Sequence, residues 1–177
     1  MYDKQKILNQ AASYFYNGIF KLKCGNIATV KQMESLPYNI KMFEHIEKKH
    51  GSIDNYINNN SAMSVVHDIS GGKYKLKYIG NALAWEYLRN VGVDGAKPDT
   101  HLKRILGSDR LGYSKQIIAS DKDVAESVSR IAANNNVLEV EIDALLWNFC
   151  ADGYGAICQS VPKCYSCPLQ VHCNKMI

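Results

Sequence analysis

The sequence predicts an all-helical fold, on three observations. Apolar residues recur three and four apart along nearly the whole chain, runs that alternate apolar with polar residues are nearly absent, and helix caps and glycine stops punctuate the periodic segments. With 177 residues, 46% of them apolar, the chain can bury a core in one globular unit or two small lobes without disulfide staples.

The first helix is expected from Asp3 to Tyr16, with Ile7, Leu8, Ala11, Ala12 and Phe15 on one face and Gly18 near its stop. A second follows Pro37, carries Ile40, Phe43 and Ile46, and ends at Gly51. Ser52 and Ser61 are expected to cap two short helices, because a hydroxyl accepts the free amide protons of a first turn. The stretch SGGKYKLK, from Ser70, reads as a tight turn feeding YIGNALAWEYLRNVG, a helix with an apolar interior that stops at Gly92. A loop from Val93 to Pro98 leads to Asp99 and a short helix ended by Gly107. Ser120 and Asp123 form a capping-box pattern ahead of Val124, Val128 and Ile131. The last long helix holds Ile142, Leu145, Leu146 and Phe149, with Gly153 after it. Asparagine runs at 58–60 and 134–136 read as loop.

The net charge of +4 is mild, but its distribution is uneven. Between Gly71 and Arg110 the chain carries eight cations and four anions, an excess equal to the charge of the whole chain. Such a stretch can neutralise phosphates, or form a solvated lysine-rich face. The amino terminus is polar from its third residue, unlike a secretory signal, and no run approaches the roughly 18 apolar residues of a membrane span. The expected compartment is the cytosol, where clustered cysteines more often bind metal or do chemistry than pair as disulfides.

Four of the six cysteines, Cys158, Cys164, Cys167 and Cys173, fall within the last twenty residues in the pattern C-x5-C-x2-C-x5-C. Buried structural thiols fit poorly, because the segments between them are short and polar. Zinc sites usually present two separated C-x2-C pairs, whereas here one such pair is flanked by a cysteine on each side. That order wraps a compact loop around a bulky [4Fe-4S] cubane, whose iron atoms take thiolates. Iron-sulfur is the favoured reading and zinc the alternative. Cys24 and Cys150 lie outside the pattern and are expected as small buried hydrophobes.

Two stretches, YIG followed by a helix and then KPDTHLKRI, and IDALLWNFCADGYGAIC leading into the cysteine loop, stand in one order over roughly the carboxy-terminal 60% of the chain. In this the chain resembles the helix-hairpin-helix DNA glycosylases of the endonuclease III type. The resemblance implies a two-lobed, all-α fold: a helical barrel-like lobe with the hairpin over 25–93, and a cluster lobe built from 1–24 plus 94–177. It implies base-excision repair chemistry on double-stranded DNA, with the N-glycosidic bond of a damaged or modified base hydrolysed after the nucleotide is swung out of the helix. Asp99 holds the position of the family's catalytic carboxylate, which stabilises positive charge on the sugar or activates water. Its alternative role is to cap the helix that starts at Thr100. Amides around Tyr78, Ile79, Gly80 and Asn81 would form the hairpin's phosphate site, with Lys73, Lys75, Lys77, Lys97, His101, Lys103 and Arg104 as further DNA contacts. Trp85 reads as core.

Departures from the family pattern carry expectations of their own. Members that also cut the strand use a lysine just after the hairpin, where Asn81 and Ala82 stand here, so a monofunctional enzyme without lyase activity is expected; Lys97, close to Asp99 in sequence, is a disfavoured substitute. The first cysteine spacer is one residue shorter than in endonuclease III. No segment ahead of the hairpin matches the one that supplies the family's intercalating side chain. The rival expectation is a non-catalytic DNA-binding or partner-binding module that keeps the scaffold.

Overall fold

The computed structural model describes residues 3–175, and every regular element among them is helical, as predicted. None of these helices is long and apolar enough to cross a membrane. The chain divides into two compact units, one ending at Gly80 and the other beginning at Asn81.

In the first unit lie α1 (Lys4–Asn9), α2 (Ala12–Lys21), α3 (Thr29–His50), α4 (Ile53–Asn58) and α5 (Ala62–Ser70). The helix expected from Asp3 to Tyr16 is two helices. Asp3 caps α1 by accepting from Lys6 N at 3.0 Å, then Gln10 and Ala11 turn extended, and α2 runs through Gly18 to Lys21. Gly18 is no stop, because its position is open and helical, and a glycine there costs about 1 kcal/mol, which one residue of a packed helix tolerates. Both α1 and α2 pack on α3, which removes residues 3–24 from the cluster lobe expected from the sequence.

The helix expected after Pro37 starts earlier, at Thr29, and carries the proline inside it. The ring denies the ladder one donor, and the packed residues Ser35, Ile40 and Ile46 on either side hold the helix through it. Gly51 ends α3 as foreseen, at φ 84°, a left-handed conformation that favours glycine. The caps at Ser52 and Ser61 form as expected, accepting from Asn55 N and Ser64 N. The core holds Ile46, Val65, Ile69 and Tyr74, each at most 2% exposed. Burying such an aliphatic side chain contributes about 1.5–3 kcal/mol. Tyr56 donates to Asp68 Oδ2 at 2.6 Å, and His50 Nε2 pairs with the Tyr74 hydroxyl at 2.8 Å. Burial, reinforced by the Asp68 charge, pushes the Tyr56 phenol well above its ordinary range.

The second unit contains α6 (Asn81–Asn90), α7 (Thr100–Ile105), α8 (Asp121–Asn135) and α9 (Glu139–Cys150), followed by single 3₁₀ turns at Cys164–Ser166 and Gln170–His172. Leu102, Ile105, Leu106, Val124, Val128 and Cys150 form its core. The capping box of Ser120 and Asp123 is present. Asn134 and Asn135 finish α8 rather than forming loop, and Asn136 makes its left-handed end at φ 53°. Trp85 is buried as expected, whereas Leu145, expected on the apolar face of α9, is 65% exposed. Cys24 is exposed too, so the expectation of a buried thiol holds for Cys150 alone.

Gly107 leaves α7 against the backbone of the following loop: a Cβ there would stand 1.9 Å from the Ile117 carbonyl oxygen. Backbone bonds from Ala119 N to Lys103 O and from Leu111 N to Ile105 O keep that loop on α7. Gly107→Ala is therefore expected to cost about 1–3 kcal/mol in urea unfolding, the range for overpacking a site that cannot give way.

Candidate active site

Asp99 adopts an extended backbone, and its Oδ1 accepts from His101 N at 2.8 Å and Leu102 N at 3.1 Å. The capping role foreseen from sequence is therefore real. Both bonds fall on one oxygen, and Oδ2 has no hydrogen-bond partner among the described residues. The loop ahead of Asp99 is pinned at several points. Asp94 accepts from Glu139 N and Val140 N, capping α9 from a distance of 45 residues. Gly95 lies against the Trp85 ring, where a Cβ would meet Cζ3 at 2.5 Å. Two positions before Asp99, the Lys97 backbone lies near enough to the Asp143 carboxylate to favour its charged form.

Asp143 is the residue that the sequence reading missed. It is 2% exposed on α9 and paired with Arg89 of α6. Burial raises its pKa to about 6; Arg89 opposes the rise, and the nearby Asp99 charge adds to it. Its folded pKa therefore stands above the unfolded value of 3.8. Between those values the folded state binds more protons than the unfolded, so the Asp143 contribution to stability is fully present below pH 3.8 and is lost as pH rises through about 6. Asp143→Asn is expected to remove that fall from the stability profile, read as the difference between variant and wild type in urea unfolding over this window.

Around the pair lies a cavity of about 410 Å³, lined by Glu86, Arg89, Lys97, Asp143, Ala144, Trp147, Asn148 and Tyr154. This is within the ~300–1,000 Å³ usual for ligand pockets. Lys97 Nζ meets Glu86 at 3.2 Å. Trp147 and Tyr154 stand edge to face, centroids 4.9 Å apart, and His101 touches Trp147 from the other side at 5.9 Å.

The expected DNA contacts fall into two sets. In the first unit, Lys73 pairs with Asp68 at 3.1 Å, Lys75 Nζ donates to the Ile79 carbonyl, and Lys77 lies exposed with its ammonium 4.5 Å from the Tyr38 ring centre. Tyr78 is left-handed at φ 61° and exposed, as is Gly80. Lys75, Lys77 and Tyr78 share a cavity of about 470 Å³ with Lys31, a cation that the sequence reading left out. In the second unit, Asn81 donates to Asp121 at 2.6 Å and Lys103 pairs with the same carboxylate. Burial alone would raise the Asp121 pKa, but hydrogen bonds from Lys103 and Asn81 hold it below the ordinary value. Arg104 bonds His101 Nδ1 and the Cys158 carbonyl. The cationic stretch is thus largely paired with carboxylates inside and outside it, while Lys77 is exposed and has no ion pair among the described residues.

All six cysteines are free. Among the described residues no three His, Cys, Asp or Glu side chains gather around one point as for a single ion. The Cys158 thiol is held below its ordinary value, first by its interaction with the Cys150 thiol and then by the Arg110 and Arg104 charges, while Cys150 is pushed far up. The other end of the segment returns to the same place: Asn174, next to Cys173, donates to the carbonyls of Arg110 and Ser108 at 2.7 and 2.9 Å. Arg110 is 4% exposed, and its Nε is buried with no partner. A thiolate-prone cysteine beside a buried guanidinium with a spare donor suits an anionic group ligated by sulfur. Thiolates are the ligand type that an iron-sulfur cluster takes, and of the four expected ligands Cys158 is the one beside that donor.

Compared with known proteins, the chain matches no family model, no curated protein and no solved structure.

Proposed function

We propose that this chain is a monofunctional DNA glycosylase that hydrolyses the bond between a sugar and a damaged or modified base in duplex DNA. One observation carries the reading: Asp99, in the sequence context of the hairpin glycosylases, has one oxygen bound at the head of α7 and the other unengaged, and Lys97, two residues before it, lines a ligand-sized cavity. Cleaving the glycosidic bond builds positive charge on the sugar, and a fixed carboxylate beside it stabilises that charge or takes a proton from water. Exposed Lys77 and the neighbouring Lys31 and Lys75 support phosphate binding through charge. Asn81 and Ala82 supply no amine, and Lys97 is engaged by Glu86, so strand cleavage through a Schiff base is not part of the reaction.

Cys158, Cys164, Cys167 and Cys173 would hold a [4Fe-4S] cluster, whose chemistry here is structural: it crosslinks a segment with little regular structure. Protein purified without air is expected to be brown and to contain iron and sulfide. A colourless protein with zinc would replace the cluster by the zinc alternative.

The test of activity is a panel of duplexes carrying uracil, oxidised, alkylated or otherwise modified bases, incubated with the protein and then treated with alkali to cut abasic sites. Release of at least one base, with no covalent adduct after borohydride, is the expected result. A protein that binds duplex DNA but releases nothing would instead be a DNA-binding or partner-binding module. One observation favours that second reading, namely that Asp99 already has a complete structural task as the cap of α7.

A further inference from the structure

We propose that Cys150 and Cys158 form a redox site: under a peroxide the two sulfurs join as a disulfide, which guards the Cys158 sulfur against irreversible oxidation. The link does not depend on the glycosylase reading. Its consequence for the tail rests on the reading of Cys158 as a cluster ligand.

Cys150 is a nucleophilic group that the chemistry described above does not use. It stands outside the four-cysteine pattern, at the last position of α9, and is 0% exposed. The residues from Ala151 to Ile157 turn back on that helix end. Gly153 and Ala156 are left-handed, at φ 78° and 52°. The Gly155 amide donates to the Asn148 carbonyl at 2.9 Å, and the amides of Ile157 and Cys158 donate to the Phe149 carbonyl at 3.0 and 3.4 Å. Cys158 is thereby brought beside Cys150 in one buried cluster, where the two thiols interact directly. A disulfide forms only where two backbones already lie close, and this loop meets that condition before any oxidation.

Exposure sets the order of events. Cys158 is 7% exposed against 0% for Cys150, so a small oxidant meets Cys158 first. Once the metal is lost, the Cys158 thiol takes an oxygen atom from hydrogen peroxide, water leaves, and a sulfenic acid remains. The Cys150 sulfur then attacks the Cys158 sulfur. The S–O bond breaks, and a second water carries away the oxygen together with the Cys150 proton. Two electrons have passed from the two thiols to one peroxide, and a reducing thiol returns them. Without a thiol at position 150 the sulfenic acid goes on to sulfinic acid, which thiols do not reverse.

The experiment treats the full chain, purified without air, with hydrogen peroxide. Remaining thiols are blocked with iodoacetamide, and the unreduced protein is digested with trypsin. No lysine or arginine lies between Arg130 and Lys163, so both cysteines leave on one peptide, 131–163. In the wild type this peptide is expected unblocked and lighter by two hydrogens than the dithiol, and dithiothreitol is expected to restore it. Cys150→Ala is expected to carry a sulfinic acid at Cys158 instead. Cys150→Ser, closer to cysteine in size, gives the same reading if the alanine variant does not fold. After reduction and addition of iron and sulfide, the wild type is expected to regain its colour, and the variants to regain about tenfold less. Sulfinic acid at Cys158 in the wild type, Cys158 paired with another cysteine, or both thiols surviving peroxide overturns the site. A link that forms while the variants recover as fully as the wild type overturns its protective role. A wild type colourless from the start removes the cluster reading, and the peptide alone then decides whether the link exists.

Discussion

Asp99→Asn is expected to lower the rate of base release by about two to four orders of magnitude, the usual contribution of a positioned acid–base group, while the fold and duplex binding persist. The contrast follows from the two tasks of the side chain. Asparagine caps a helix about as well as aspartate, so its oxygen can keep the bonds from His101 N and Leu102 N. What it cannot supply is negative charge at the unengaged oxygen. Asp99→Ala should lose the charge and the cap together, with a further stability cost of about 0.5–2 kcal/mol. Single-turnover release beside thermal unfolding separates these effects. If the asparagine variant releases base at the wild-type rate, Asp99 is a cap and nothing more.

Arg89→Met is expected to destabilise the second unit by about 3–5 kcal/mol, the range for removing one partner of a buried ion pair. Asp143, 2% exposed, would then have to hold a charge without its partner or take up a proton, since Arg89 opposes the rise of its pKa. Burial already outweighs the attraction of Arg89 in setting the Asp143 pKa, so the pair is a poor source of stability. The double variant Arg89→Met, Asp143→Leu should accordingly recover most of the loss. Urea unfolding of the three proteins at pH 7 decides the matter. A single variant as stable as the wild type would mean that Asp143 takes up a proton or finds water when its partner goes.

Local features of this fold were readable in the sequence, and features set by packing were not. Ser52, Ser61 and the Ser120–Asp123 box act on amides within three residues, so the pattern contains the whole interaction. The run of α3 through Pro37 depends on what the helix packs against, and no window of residues contains that. The same division holds at the site. Asp99 announced itself through KPDTHLKRI, but the Arg89–Asp143 pair joins helices 54 positions apart. A hint existed: an acid between Ile142 and Ala144 in the run IDALLW and a lone base in EYLRN, each placed where a core residue belongs. Pairing them requires the tertiary fold. The lysines were read as free cations because sequence shows their charge and hides their partners, Asp68, Glu86 and Asp121.

Helix α7 is six residues long, with the Asp99 carboxylate at its head and, one residue from its tail, Arg104 bonded to the Cys158 carbonyl at 3.1 Å. Between these two ends Leu102 and Ile105 are buried, so the direction of the Asp99 carboxylate is set by the packing of the whole helix and by neither end alone.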